Sequence, residues 1–178
     1  MARIRKFICY RRIDKKPYTR FSKFKNKSYV RSRPVCRVVR FDMGDPRKKY
    51  TAQLDLIVDA SIQIRDNALE SARQSSARLL EKVLGKNGFY YQVRVYPHHI
   101  LRENPLAAGA GADRMSTGMS HSFGKTIGIA ARVKKGQILF RLKYMKEHLA
   151  TAKKALKLAS YKIPCKCKLV EKIAKKVE

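Results

Sequence analysis

Few residues in this chain have the types and spacing to do chemistry. Gly124-Lys125-Thr126 has the ending of a phosphate-binding loop, in which backbone N–H groups and a lysine hold the phosphates of a nucleotide. The spacing fails, because that motif places a glycine five residues before its second glycine, and position 119 is Met119 with Gly118 one residue too early. The continuation fails as well: Ile127-Gly128-Ile129-Ala130-Ala131-Arg132-Val133 reads as a strand, whereas a phosphate loop opens a helix whose N-terminal dipole faces the anion. His98 and His99 are adjacent, and neighbours on a strand point to opposite faces, so they do not hold one metal together. Asp113 and His121 share one glycine-rich segment with no scaffold to fix them, which leaves no Ser-His-Asp or Cys-His arrangement. Cys165-x-Cys167 could supply half of a zinc site, but Cys9 and Cys36 are lone residues far upstream, whereas structural zinc uses paired short spacings, and alternate strand positions account for the pair. No catalytic residue, metal, cofactor or small-molecule substrate is expected.

What the residues can do is bind a polyanion. Of the formal +29, the first 40 residues carry 15 Lys/Arg against the single Asp14, and residues 132–178 carry 15 against Glu147, Glu171 and Glu178. The 91 residues between hold 12 basic and 9 acidic side chains and are nearly neutral. Charge of this density repels itself, and a nucleic-acid backbone supplies the counter-charge. No run of about 18 apolar residues is present to span a bilayer, so no membrane partner is expected. Four unevenly placed cysteines make no disulfide framework, and with no secretory apolar region at the start a reducing, cytoplasmic setting is expected.

Residues 1–34 interleave cations with rings: Arg3, Arg5, Lys6, Arg11, Arg12, Lys15, Lys16, Arg20, Lys23, Lys25 and Lys27 stand among Phe7, Tyr10, Tyr18, Phe21, Phe24 and Tyr29. Neither a helical nor a strand period persists, so this reads as an arm that orders on its partner. Arg and Lys pair phosphates while rings such as Tyr18 stack on unpaired bases, the chemistry of RNA rather than duplex DNA. One of His98 and His99 is expected to contact RNA by stacking or a phosphate hydrogen bond, and the other to be packed at the surface.

Residues 35–178 read as a single domain of the α+β class, with a mostly antiparallel sheet and two helices packed on one face of it. Strands are expected at Val35 to Phe41, around Leu54 to Val58, at Phe89 to Val95, Ile127 to Val133, Ile138 to Leu142 and Cys165 to Val170. One helix is expected from an N-cap at Asp66 or Asn67, with Leu69, Ala72, Leu79, Leu80, Val83 and Leu84 on its apolar face, to a stop at Gly85. A second spans Lys146 to Ser160, with Lys153, Lys154 and Lys157 on its outer side. Between the strands, residues 103–126 form a connection holding four of the nine glycines. So long a loop in a compact domain is usually functional.

Tyr96-Pro97-His98-His99-Ile100-Leu101-Arg102-Glu103-Asn104, Gly111-Ala112-Asp113-Arg114, Thr117-Gly118-Met119, Phe123-Gly124-Lys125 and Ala131-Arg132-Val133 together resemble the universal large-subunit ribosomal protein family called L-sixteen in bacteria and L-ten-e in archaea and eukaryotes. The resemblance runs from Cys9-Tyr10-Arg11 and Lys16-Pro17-Tyr18 through Asn67-Ala68-Leu69-Glu70 to Ile163-Pro164, and the length looks archaeal. It implies an α/β-hammerhead fold and a cytoplasmic place in the large subunit. There the protein would bind 23S-like rRNA beneath the central protuberance, near 5S rRNA, tRNA and neighbouring ribosomal proteins. Carried over by position, Arg102, Asp113, Arg114, Gly118, Phe123, Gly124 and Lys125 belong to a loop that reaches toward the tRNA acceptor end near the peptidyl-transferase centre, with Arg114 and Lys125 on phosphates. Two positions depart from the family pattern: Thr126 stands where a proline is frequent, and Pro105 where a lysine is. A free RNA-binding protein or RNA chaperone would share the charge and the rings but has no need of the loop.

Overall fold

The β-branched and aromatic runs pair as antiparallel ladders, and these divide between two sheets. The computed structural model describes residues 5–13, 18–22, 24–28, 30, 32–103, 109–111 and 124–173. In chain order the described elements are β1 (Asp42–Gly44), β2 (Ala52–Val58), β3 (Ile62–Arg65), α1 (Asp66–Leu84), β4 (Tyr90–Val93), β5 (His99–Glu103), β6 (Lys125–Val133), β7 (Ile138–Tyr144), α2 (Leu149–Ser160) and β8 (Cys167–Ile173). Five strands join in the order β1-β4-β7-β2-β8 and three in the order β3-β6-β5. The class is α+β, as the segregation of strands from helices implies.

The larger sheet carries the core. β2 runs between β7 and β8, and its Leu54, Leu56 and Val58 are buried together with Phe140 and Leu142 of β7 and Tyr91 of β4. Asp55, on the other face of β2, is fully buried, and a buried charge is tolerable only when paired. Its partner sits directly across the ladder: Arg141 Nε donates to Asp55 Oδ1 at 3.0 Å, while Gln53 Nε2 donates to the two carboxylate oxygens at 3.1 and 2.9 Å.

α2 lies against β2, β7 and β8 and against α1, through the buried Ala152, Ala155, Leu156 and Ala159. Small side chains on that face let the helices approach closely, and Lys153, Lys154 and Lys157 stay exposed opposite. α1 buries Leu69, Ala72 and Leu80 and stops where expected, at Gly85, whose φ of 71° suits a residue without a Cβ. Val83, placed on that face by spacing, is 54% exposed in the last turn.

Three other expectations change in the structure. Residues 35–40 are extended but join no ladder; β1 begins only at Asp42. Instead, the N–H groups of Arg37 and Val39 donate to Asp66 Oδ2 at 3.3 Å and Glu70 Oε2 at 3.4 Å. Alternate residues of an extended chain rise by about 6.6 Å, close to the rise of about 6 Å over one i,i+4 step of helix, so two carboxylates on α1 act as the missing strand partner. That use of Asp66 also displaces the expected cap: Arg65 takes the N-cap position without a side-chain bond, and Asp66 is the first helical residue. The last strand starts at Cys167, not Cys165. Sequence reading passed over β3, whose Ile62 and Ile64 flank the buried polar Gln63.

Glu70 is 8% exposed and holds this corner together. Arg73 donates to it twice, Nε to Oε2 at 2.8 Å and Nη2 to Oε1 at 2.5 Å, and Gln74 Nε2 adds a bond to Oε1 at 2.9 Å. The Arg73 hydrogen bonds hold the Glu70 carboxyl below its usual range, against the opposing effect of burial. A lowered folded-state value stabilises above the unfolded pKa of about 4.3, and that contribution is lost as pH falls through the folded value. Glu70→Gln should therefore cost about 3 kcal/mol near neutrality, in the range for breaking a buried pair. The gap to the parent should shrink below about pH 4. Urea unfolding across pH measures both; a gap independent of pH would show that charge is not what Glu70 contributes.

Candidate nucleic-acid interface

The smaller sheet positions the basic arm. β3, β6 and β5 pair from Ile62↔Val133 to Glu103↔Lys125, and the arm is laid along the free edge of β5. Ile100 N–H donates to Thr19 C=O at 2.7 Å, Arg20 bridges to His99, and Thr19 N–H donates to His99 Nδ1 at 3.1 Å. Tyr18 stacks on the His99 ring at 5.6 Å between centroids and 24° between planes. The Arg132 guanidinium of β6 lies 5.0 Å from the Tyr18 ring and that of Arg20 5.8 Å, within cation–π reach.

Gln63 fixes the stretch before it. Its backbone N–H donates to Arg11 C=O at 3.3 Å, its Nε2 donates to Tyr10 C=O at 2.8 Å and Arg12 C=O at 3.1 Å, and its Oε1 accepts from Arg132 Nε at 3.3 Å. One buried amide thus satisfies backbone groups on both sides of Arg11 while leaving the Arg11 and Arg12 side chains exposed. Arg65 at the end of β3 donates to Arg5 C=O at 2.5 Å and lies 5.3 Å from the Tyr10 ring. Arg5 itself pairs with Glu103 of β5. Further along, Val30 packs on Ile100 and Ile129. Arg33 Nη2 donates to Tyr96 OH at 2.6 Å.

With its backbone held at these points, the described arm buries Tyr10 but leaves other rings and several cations exposed. Arg5, Lys6, Arg11, Arg12, Arg20 and Lys25 are exposed, and so are Tyr18, Phe21 and Phe24, at 42%, 51% and 65%. Lys27 lies 5.2 Å from the Phe24 ring, so charge and stacking surface are presented side by side. Exposed rings beside cations are the combination on which unpaired bases can stack while phosphates are paired.

The two histidines part company, as neighbours on an extended chain should. His98 is exposed beside Tyr96, and its pKa is pushed down by partial desolvation and by the charges of Arg20 and Arg33. His99 is 5% exposed, and its ring is covered by the arm rather than free for RNA. Arg102 is half-buried on β5, Gly124 half-buried just ahead of β6, and Lys125 exposed as the first residue of β6. The β5–β6 ladder reaches Glu103↔Lys125, so the connection expected over 103–126 gives up Glu103 at its start and Lys125 and Thr126 at its end to the strands. Within it Gly109 and Gly111 take φ of 120° and 81°, which glycine alone adopts without strain. Arg3, Lys15, Lys16, Lys23, Asp113, Arg114, Gly118 and Phe123 lie outside the described residues.

Sequence reading missed the residues that hold the arm: Gln63, Arg65, Glu103 and Arg132. The available signal was Gln63, a polar residue between Ile62 and Ile64 in a β-branched run.

Comparison with known proteins finds one family along the chain. The family described as ribosomal protein L16p/L10e matches residues 13–170. The chain is 46% identical over 162 residues to the large ribosomal subunit protein uL16 of Methanococcus maripaludis, covering 91% of this chain and 90% of that one. It is 43% identical over 165 residues to the protein of the same name from Methanoculleus marisnigri, covering 93% and 94%. For the protein of that name from Staphylothermus marinus the identity is 40% over 164 residues, covering 92% and 91%. The exposed cations and rings of a sheet-anchored arm and this similarity along nearly the whole chain lead to one conclusion: the chain belongs to the ribosomal protein L16p/L10e family.

Proposed function

We propose that this protein is a structural constituent of the large ribosomal subunit that binds 23S-like rRNA near the central protuberance and helps to position tRNA close to the peptidyl-transferase centre. Supporting this most directly is the similarity, over more than nine-tenths of the chain, to relatives named as large-subunit proteins. In this reading residues 1–34 are an RNA-binding arm on a body formed by residues 35–178. Arg5, Lys6, Arg11, Arg12, Arg20 and Lys25, with Arg3, Lys15, Lys16 and Lys23, meet phosphates, and Tyr18 and His98 meet bases or sugars. His99 serves by holding the arm in place. Arg102 and Lys125 stand at the base of the connection between β5 and β6, which carries Asp113, Arg114, Gly118, Phe123 and Gly124 toward the tRNA acceptor end. Contacts to the 5S rRNA region and to neighbouring ribosomal proteins follow from the same placement. The protein is not an enzyme in this account, and peptide-bond chemistry belongs to the RNA. The affinity of the full chain for large-subunit rRNA fragments, measured against salt, tests the arm's role.

A further inference from the structure

We propose that Cys165 and Cys167 form a reversible dithiol–disulfide pair that exchanges with low-molecular-weight disulfides. The two sulfurs are 4.0 Å apart on partly exposed side chains, both thiols free. Disulfide formation needs them at about 2.05 Å, a closure of about 2 Å that side-chain rotation can supply. Cys165 lies after Pro164 in a bend ahead of β8 and outside the ladder, whereas Cys167 is held in it, opposite Val58, so Cys165 is the side that moves.

The two thiols are also chemically unequal. Cys167 Sγ lies 3.6 Å from Cys165 C=O as well as beside Cys165 Sγ, so its S–H is directed back toward its neighbour. A hydrogen bond from Cys167 pulls the Cys165 thiol below its ordinary range, outweighing burial and the nearby Asp59 carboxylate, while the same contact and burial push Cys167 up. Asp59 is meanwhile engaged by Lys168, Nζ to Oδ1 3.3 Å. Because the Cys167 S–H faces back toward Cys165 C=O, we assign Cys165 as the attacking thiol and Cys167 as the resolving one, the arrangement in which a disulfide passes through a mixed intermediate.

The step balances. Cys165 thiolate attacks one sulfur of an exogenous disulfide such as oxidised glutathione, breaks its S–S bond and releases one thiolate. Cys167, having given up its proton, attacks the Cys165 sulfur of the mixed disulfide and expels the second thiolate. Two protein thiols are oxidised to one disulfide, one exogenous disulfide is reduced to two thiols, and the two protons pass to the departing thiolates. None of this depends on the ribosomal assignment.

The natural full-length chain is its own test. It is equilibrated with glutathione mixtures from fully reduced to fully oxidised, remaining thiols are blocked, and the protein is cut with trypsin. Cleavage after Lys162, Lys166 and Lys168 separates Cys165 from Cys167, so an intramolecular disulfide leaves peptides 163–166 and 167–168 joined, apart from the peptides carrying Cys9 and Cys36. The proposal expects that joined product to rise as a single transition while Cys9, which is exposed, collects glutathione as a simple adduct. It also expects Cys167→Ser to stop at a glutathione adduct on Cys165. Blocked thiols at both positions, or separate glutathione adducts on both in the natural chain, would overturn it. Equal adduct formation rates in Cys165→Ser and Cys167→Ser would overturn the assignment of the attacking thiol.

Discussion

Between about 50 and 200 mM salt, the affinity of the full chain for large-subunit rRNA fragments should fall by about 10³–10⁵. Each phosphate neutralised by Lys or Arg releases a condensed counterion, so the slope of log affinity against log salt counts the contacts, and about 6–10 of them give a loss of this size. The described arm offers Arg5, Lys6, Arg11, Arg12, Arg20 and Lys25 as exposed cations, and its backbone is held at Tyr10 to Arg12 by Gln63 and at Thr19 by the β5 edge. Little ordering entropy then remains to be lost when these cations meet RNA. Replacing Arg11, Arg12 and Arg20 with Gln should lower the slope by about three. The fold should be unaffected, because the sheet holds this stretch largely through backbone groups. Filter binding over a salt series reads both. A flat response in the parent, or an unchanged slope in the triple variant, would contradict an arm that works through phosphates.

Removing residues 106–123 should have the opposite pattern: bulk rRNA affinity stays within a few-fold of the parent, while assembly of active large subunits or their handling of tRNA fails. The reasoning is positional. The β5–β6 ladder closes at Glu103↔Lys125, and Glu103 is tied to Arg5 of the arm, so the base of the connection is built into the sheet that holds the arm, while the pairing of that sheet does not call on the connection's middle. Complementation with the deleted chain, followed by gradient profiles and peptidyl transfer by purified subunits, measures the outcome. If rRNA binding collapses as well, the connection is an anchor and the division of labour between arm and loop is wrong.

Much of this was legible in the residues. Charge asymmetry and interleaved rings pointed to RNA because phosphates and bases ask for those two side-chain classes, and patterning placed α1, α2, β2, β6 and β7 because one face of each is apolar at its own period. What escaped notice depended on long-range partners. Val35 to Phe41 has the composition of a strand, yet its N–H groups are taken by Asp66 and Glu70, residues 29 and 31 positions away, and no local pattern reveals that. Gln63 looks like an interruption of β3 until the backbone of Tyr10, Arg11 and Arg12 is laid beside it. His99 reads equally as an RNA contact or a packed ring, and only the return of Thr19 to the β5 edge decides that it is covered. In each case the partner of a polar side chain is backbone from a distant segment.

The most direct measurement of the central claim is sedimentation of cell lysate through a high-salt sucrose gradient, with this chain quantified in every fraction. The account predicts that the chain migrates with the large subunit, one copy per particle, and stays there at salt concentrations that strip loosely bound RNA-binding proteins. Recovery only at the top of the gradient would contradict it, and the chain would then be an exchangeable RNA-binding protein despite its family.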